Sequence, residues 1–302
     1  MLDYRRILVP TDLSPSASAA FQVARDVAVR YEADLEIVHV HSESGPFAAF
    51  SRWIGGEPDS IAAEEYDRRV NEQLELYKSQ YERSTLTRLE GGPPATEILR
   101  YAEESDADLI VMGTHGHRSL DHPALGGTAG EVVRNAPMPV MTVRIGDEEA
   151  ATSGRFRHVL ATIDFAEHSK SLFRTAKDLA ERFDARMSVI FVAEELRVPL
   201  FTDTGLMSVT TLKLDEEIVA RADEALRQLD EETGGSAVET RYVVRHGSPA
   251  REIVAVAEDA DVDLIVVGRR GHSIHEGVLL GTVTEHVVRR SKCPVLTIVP
   301  GT

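Results

Sequence analysis

The chain has 302 residues, a length that suits two domains, each large enough to bury a core of its own. Fifty acidic residues against 33 basic ones give a net charge of −17, and only five of the bases are lysine. Such a surface lacks the basic footprint that nucleic acid or an anionic membrane requires, so both are set aside as partners. The single cysteine, Cys293, excludes an internal disulfide framework and fits a reducing cytoplasm, and no apolar run is long enough to span a bilayer.

From the N-terminus, Met1 to Arg6 runs directly into an apolar strand, Ile7 to Pro10, leaving no room for a signal peptide. Asp12 follows, then Ser14-Pro15 as N-cap and first helical residue. Phe21, Ala24, Val27, Ala28 and Tyr31 mark one face of the first helix. Leu35 to Val40 reads as a second strand. Beyond it, Phe47, Phe50, Trp53 and Ile54 beside Gly55-Gly56 form an apolar cluster, read as packing over its own domain, with a partner-binding patch as the alternative. A helix with Val70, Leu74, Tyr77 and Tyr81 on one side comes next, then a strand at Thr85 to Leu89 and a helix at Ala95 to Glu104. Leu109 to Met112 is continuously apolar, as a buried parallel strand should be. A glycine-rich loop, a short helix at Thr128 to Asn135, Pro139 and a last strand at Val140 to Val143 complete the set. Gly146 to Gly154 is a small, acidic linker.

The same succession then returns. DADLIVMGTHGH at 106–117 recurs as DVDLIVVGRRGH at 261–272, and Phe173, Ala176, Leu179, Ala180 and Phe183 repeat the face of the first helix. Strands are expected at Met187 to Val192, Val238 to Val244, Leu264 to Val267 and Val295 to Val299. Helices are expected around Ile218, Ala222, Leu226 and Leu229, at Ala250 to Asp259 and at Thr282 to Arg290. The displacement is 152 residues early in the repeat and 155 late. A net difference of three residues therefore lies in the segments around 42–83 and 194–238, and a length change there marks a surface loop. A period this long is a whole domain written twice, over 1–146 and 155–302. Strands alternating with helices make each half an α/β unit with a parallel sheet covered on both faces.

Each half places a glycine-rich loop directly after its fourth strand. In the second half it runs Gly268-Arg269-Arg270-Gly271, nine residues, then Gly281-Thr282 at a helix start. Glycine lets backbone N–H groups approach an anion, and the helix start adds unpaired N–H groups, a positive dipole end and a hydroxyl. The loop suits a polyphosphate. It is not a Walker A loop, and no dinucleotide fingerprint opens the first helix of either half.

The pattern G-x2-G-x9-G-[S/T] after an apolar strand, preceded by G-x-P and followed by a V-V-R…C-P-V-type ending, resembles the universal stress protein family, over both halves. The resemblance implies two open parallel five-stranded sheets in the order 3-2-1-4-5, with helices on both faces, of the adenine-nucleotide-binding type. That order puts the switch point between strands 1 and 4, where open α/β sheets bind ligands. By resemblance, Asp164 and Val192 contact the ribose or adenine side, and Gly268, Gly271, Gly281 and Thr282 hold phosphates. The first-half counterparts are Asp12, Val40, Gly113, Gly116 and Gly126. The alternative for both aspartates is a loop-capping carboxylate. The first half departs from the pattern: Gly127 stands at the hydroxyl position, and Asp121-His122-Pro123 interrupts the nine residues. His115, His117 and His122 crowd this loop without a matching set in the second half, so no metal site is assigned.

The resemblance thus implies a cytoplasmic stress-response protein that binds ATP, with or without Mg2+, its nucleotide state acting as a regulatory or protective signal toward a client protein. No general base is evident near the phosphates, so no enzyme is expected. The alternatives are a nucleotide-free interaction module and, behind it, an ATP-hydrolysing or nucleotidyl-transferring enzyme of the same fold. The family also pairs last strands antiparallel between subunits, which implies an internal pseudo-dimer, with a homodimer of tandem chains left open.

The acid excess carries one expectation of its own. At 1 M salt the Debye length shrinks to roughly 3 Å, and self-repulsion is screened. Thermal melts in rising KCl should then show a climbing midpoint; an unchanged one would trace the composition to a genome that favours arginine codons.

Overall fold

The computed structural model describes residues 3–41, 60–115, 125–144, 156–166, 168–194, 196–201, 207–212, 216–234, 238–270 and 280–299, with backbone alone for 60–66, 196–201, 207–212 and 216–218. The chain divides into two compact units. One comprises Leu2–Arg155 with Lys292–Pro300, the other Phe156–Ser291.

The first unit holds strands β1 (Arg6–Pro10), β2 (Asp34–His41), β3 (Ser84–Glu90), β4 (Leu109–Gly113) and β5 (Val140–Val143), with helices α1 (Pro15–Tyr31), α2 (Ser60–Lys78), α3 (Pro94–Glu104) and α4 (Gly127–Asn135) between them. The strands lie in the order β3-β2-β1-β4-β5, all parallel. Beyond β5 lies β12 (Val295–Ile298), antiparallel, with Val295 opposite Thr142 and Leu296 opposite Met141. The Thr142 hydroxyl donates to the Val295 carbonyl at 3.3 Å. An apolar fifth strand left as an edge would invite pairing with another chain, and β12 covers it.

Local chemistry explains the elements. Ile7, Leu8 and Val9 are wholly buried, as a strand between two helical layers requires. Helix α1 starts where expected: the Ser14 side chain accepts from the Ala17 N–H at 3.2 Å and Pro15 opens the first turn. Tyr77 of α2 stacks on Phe21 of α1 with ring centroids 4.6 Å apart. Tyr81, expected on the α2 face, lies beyond the helix end, where its hydroxyl donates to the Ala33 carbonyl at 2.8 Å.

The second unit repeats the plan with β6 (His158–Ile163), β7 (Arg186–Ala193), β10 (Thr240–His246) and β11 (Leu264–Gly268), parallel and in the order β10-β7-β6-β11. Its helices are α5 (Ser169–Phe183), α6 (Glu216–Glu232), α7 (Pro249–Asp259) and α8 (Thr282–Arg290). Two differences from expectation stand out. The fifth strand of this repeat, β12, belongs with the first unit, so the strands do not divide five and five between the units. The segment expected as loop contains an antiparallel hairpin, β8 (Leu196–Phe201) and β9 (Met207–Leu212), with Leu196 opposite Leu212 and Phe201 opposite Met207. Pro199 disguised it, because a proline inside a run argues against a strand.

The backbone repeats as closely as the sequence. Leu13 and Phe165 both take positive φ, at 62° and 58°, as do Glu32 and Asp184, and Asp106 and Asp261. These are non-glycine residues in a region that L side chains rarely adopt, so the turns that hold them are the same turns. Among the described residues no helix is long and apolar enough to cross a membrane. The apolar cluster at Phe47, Phe50, Trp53 and Ile54 lies outside the described residues.

Two buried histidines should make stability depend on pH. His39 Nδ1 meets the Thr11 carbonyl at 2.9 Å, and His158 bridges the Ala260 carbonyl at 3.0 Å and the Ser188 hydroxyl at 2.8 Å. Burial pushes both imidazoles below their ordinary value of 6.5, against the smaller opposing pull of those carbonyls. Well above pH 6.5 both are neutral, folded or unfolded, and contribute no penalty. As the pH falls from there toward their lowered folded values, the unfolded chain takes protons that the folded one resists, and stability is lost. Melting midpoints should therefore fall from about pH 6.5 toward pH 5, above the ordinary carboxylate range near 4. A His39→Gln/His158→Gln double variant should flatten that slope; an unaltered slope would assign it to other groups.

Candidate functional site

The sheet register brings the expected residues to one end of each unit. Pro10 lies opposite Val38, so two residues further on Asp12 lies level with Val40. Ile163 lies opposite Phe191, so the next pair is Asp164 and Val192. On the other side of the first strand, Leu8 opposite Ile110 and Ala161 opposite Val266 set Gly113 and Gly268 one residue below those aspartates. Neighbouring strands are about 4.8 Å apart, so each trio spans roughly 10 Å across the carboxyl ends of strands 2, 1 and 4. This is the switch point, where the order reverses between strands 1 and 4.

Both aspartates hold the turn that leaves the first strand. Asp12 Oδ1 accepts from the Ser14 N–H at 3.0 Å. Asp164 Oδ1 accepts from the Ala166 N–H at 3.0 Å and the Ser169 hydroxyl at 3.1 Å. The loop-capping role weighed from the sequence is thus present at each, around the left-handed residues Leu13 and Phe165. Phe165 is 40% exposed and meets Phe191 at a centroid distance of 5.0 Å, so the second switch point has an aromatic wall; the residues equivalent to this pair in the first repeat are Leu13 and His39.

Both glycine loops close identically. The Gly126 N–H donates to the Thr114 carbonyl at 2.9 Å, and the Gly281 N–H to the Arg269 carbonyl at 2.9 Å. Each glycine is the N-cap of its helix and so offers the first-turn N–H groups of α4 and α8 no side-chain cap of its own. Thr282, first residue of α8, is exposed. A Cβ at its counterpart Gly127 would meet nothing within 4 Å. The glycines at the strand ends have reasons within the protein itself. A Cβ at Gly113 would stand 2.5 Å from Ser16 Oγ, one at Gly126 2.8 Å from the Thr114 carbonyl oxygen, and one at Gly268 2.7 Å from His168 Nε2. Close approach of backbone, rather than of an anion, already favours glycine at Gly113 and Gly126, while at Gly268 the nearest neighbour is a side chain that can turn.

The sequence reading passed over several neighbours. Thr284, buried, donates to the Gly268 carbonyl at 2.6 Å and ties α8 to the end of β11. Ser16 and His168, equivalent by the repeat, place their side-chain tips over the strand-4 glycines; that spacing was the signal available. Arg269 is half-buried, and burial, reinforced by neighbouring Arg270, pushes its guanidinium below its ordinary value. His115, where the second repeat has Arg270, bonds the Thr114 hydroxyl through Nδ1 at 2.8 Å. Gly116, Gly271, His117 and His122 fall outside the described residues, and among the described ones no three potential metal-ligating side chains cluster.

The model of the universal stress protein family matches residues 3–144 and again 155–299. The chain belongs to this family. It is a tandem universal stress protein, and single-domain relatives align with about half of it. A universal stress protein of Methanocaldococcus jannaschii is 31% identical over 141 residues, 47% of this chain and 82% of the relative. One from Bacillus subtilis is 32% identical over 146 residues, covering 99% of the relative. Among solved structures, a universal stress protein from Archaeoglobus fulgidus matches 99% of this chain and 100% of its own, with a TM-score of 0.71 at 18% identity. A structure named as a putative universal stress protein of Pseudomonas aeruginosa gives 0.66 at 20% identity over 98% of this chain and 94% of its own. At those identities the structural likeness shows the fold.

Proposed function

We propose that this universal stress protein binds ATP at the switch point of its second repeat and acts in the cytoplasm as a nucleotide-dependent regulatory or protective protein. One observation supports this most. The start of α8, capped by the glycine Gly281 with no side chain and carrying the exposed Thr282, is pinned by Gly281 to Arg269 at the same end of the unit as Asp164 and Val192. A helix N-terminus, a hydroxyl and two arginines form an anion-binding end, and Phe165 with Phe191 offers an apolar side to a base. Gly271 completes the family pattern. Mg2+ would arrive on the phosphates, held by their oxygens and water, as this ion is in most nucleotide sites. No described residue is assigned a catalytic role, and turnover is not part of the proposal.

The functional domains are taken as 1–146 and 155–302, and an internal pseudo-dimer of the two is part of the proposal. The first repeat keeps the backbone of the site, Asp12, Val40, Gly113, Gly116 and Gly126, but has Gly127 where a hydroxyl belongs. A nucleotide-free role toward a client protein suits that half. Calorimetric titration with ATP tests the proposal: one saturable tight site is expected, and no binding by the full chain would overturn it.

A further inference from the structure

The two repeats differ at the residue that lies over the strand-4 glycine. In the first, Ser16 occupies it, buried, and its hydroxyl donates to the Val143 carbonyl at 3.3 Å. In the second, His168 occupies it, only partly buried, just before the first turn of α5. Its Nε2 lies 2.7 Å and its Cδ2 3.0 Å from where a Cβ on Gly268 would stand, so the imidazole edge covers the end of β11. Among the described residues nothing hydrogen-bonds the ring. The ring therefore sits at the switch point, over the glycine from which Arg269 and Arg270 depart, with no ring hydrogen bond to any described residue.

Building on the proposed ATP site, we propose that His168 is a phosphate-binding residue of the second site, donating a hydrogen bond from its ring to an ATP phosphate oxygen. Three features argue for phosphate over ribose or base. Gly268 opens the loop that carries both arginines and closes on the α8 N-terminus, the cationic end of the site. The Asp164 carboxylate, the group suited to hydroxyls, has its Oδ1 turned toward the Ala166 N–H and the Ser169 hydroxyl. The aromatic wall for a base, Phe165 with Phe191, belongs to strands 1 and 2 rather than to strand 4. The side chains at this position, with those of the loop, thus set the repeats apart: His168, Arg269 and Arg270 in the second, Ser16, Thr114 and His115 in the first.

The test is titration of the full chain with ATP and with adenosine, in wild type, His168→Ser and His168→Gln. His168→Ser installs the residue of the first repeat. It should weaken ATP binding about tenfold or more and leave adenosine unchanged. Glutamine keeps an N–H donor at similar reach and should recover most of the loss. Thermal melts check that each variant is folded. Wild type that takes up no ATP would overturn the proposed function itself. Wild type that binds, with His168→Ser unchanged, would overturn the role of His168 alone. Equal weakening of ATP and adenosine, or no recovery by glutamine, would make the ring a shape element and overturn the phosphate contact.

Discussion

In the Thr282→Val variant, ATP affinity at the tight site falls about tenfold to a hundredfold, because a hydrogen bond to a charged phosphate is worth roughly 1.5–3 kcal/mol. Valine keeps the branched shape and the α8 N–H groups and removes only the hydroxyl. The converse change belongs at Gly127. A Cβ there meets nothing within 4 Å, and the residue is already helical, so Gly127→Thr adds a hydroxyl without crowding or backbone strain. It should raise affinity at the first site toward measurable binding and leave the second site untouched. A bulky substitution at Gly126 is a poor probe, because its Cβ would lie 2.8 Å from the Thr114 carbonyl and break the loop closure before any phosphate is tested. Equal affinity at two sites in wild type, or indifference to Thr282→Val, would refute the asymmetry.

The fold was legible because repetition and apolar runs are both written along the chain. Strands such as Leu109–Gly113 and Leu264–Gly268 are short and continuously apolar, a pattern that two covering helical layers produce. Ser14-Pro15 fixed the start of α1 to the residue, since side-chain capping and a fixed proline φ are local properties. The fifth-strand assignment was not local. Val295–Ile298 reads the same whichever sheet receives it, and its antiparallel place beside Val140–Val143 depends on an edge formed about 150 residues earlier. The site was half legible. The family resemblance, carried by the glycine spacing, implied the strand order and with it Asp164, Val192, Gly268 and Thr282 as candidates. The turns capped by Asp12 and Asp164 are local and were open to reading from the sequence, whereas the close contacts at Gly113, Gly126 and Gly268 are set by the folded chain. Ser16 and His168 carry no motif and come to notice only when something lies over Gly113 and Gly268.

That last contrast yields a stability prediction, because the same glycine is required for different reasons in the two repeats. At Gly113 an added Cβ would lie 2.5 Å from Ser16 Oγ but also 2.8 and 2.9 Å from the Ser16 backbone carbon and oxygen. Backbone in the first turn of α1 cannot swing aside; it is held by the Ser14 cap, so Gly113→Ala must displace the helix start. Overpacking of this kind costs roughly 1–3 kcal/mol, and a contact with fixed backbone belongs at the upper end. At Gly268 the contacts under 3.2 Å are with the imidazole of His168, a side chain that can rotate, and the nearest backbone atom, the Arg270 carbonyl oxygen, is 3.2 Å away. Gly268→Ala should therefore cost less, and His168→Ala should relieve most of what it costs, whereas Ser16→Ala should leave most of the Gly113→Ala penalty in place. Melting midpoints for the two double-mutant cycles measure this directly, since residues in contact show non-additive energies. Strong coupling of Gly113 to Ser16 with none between Gly268 and His168 would reverse the assignment, and with it the claim that the ring lies over the second glycine.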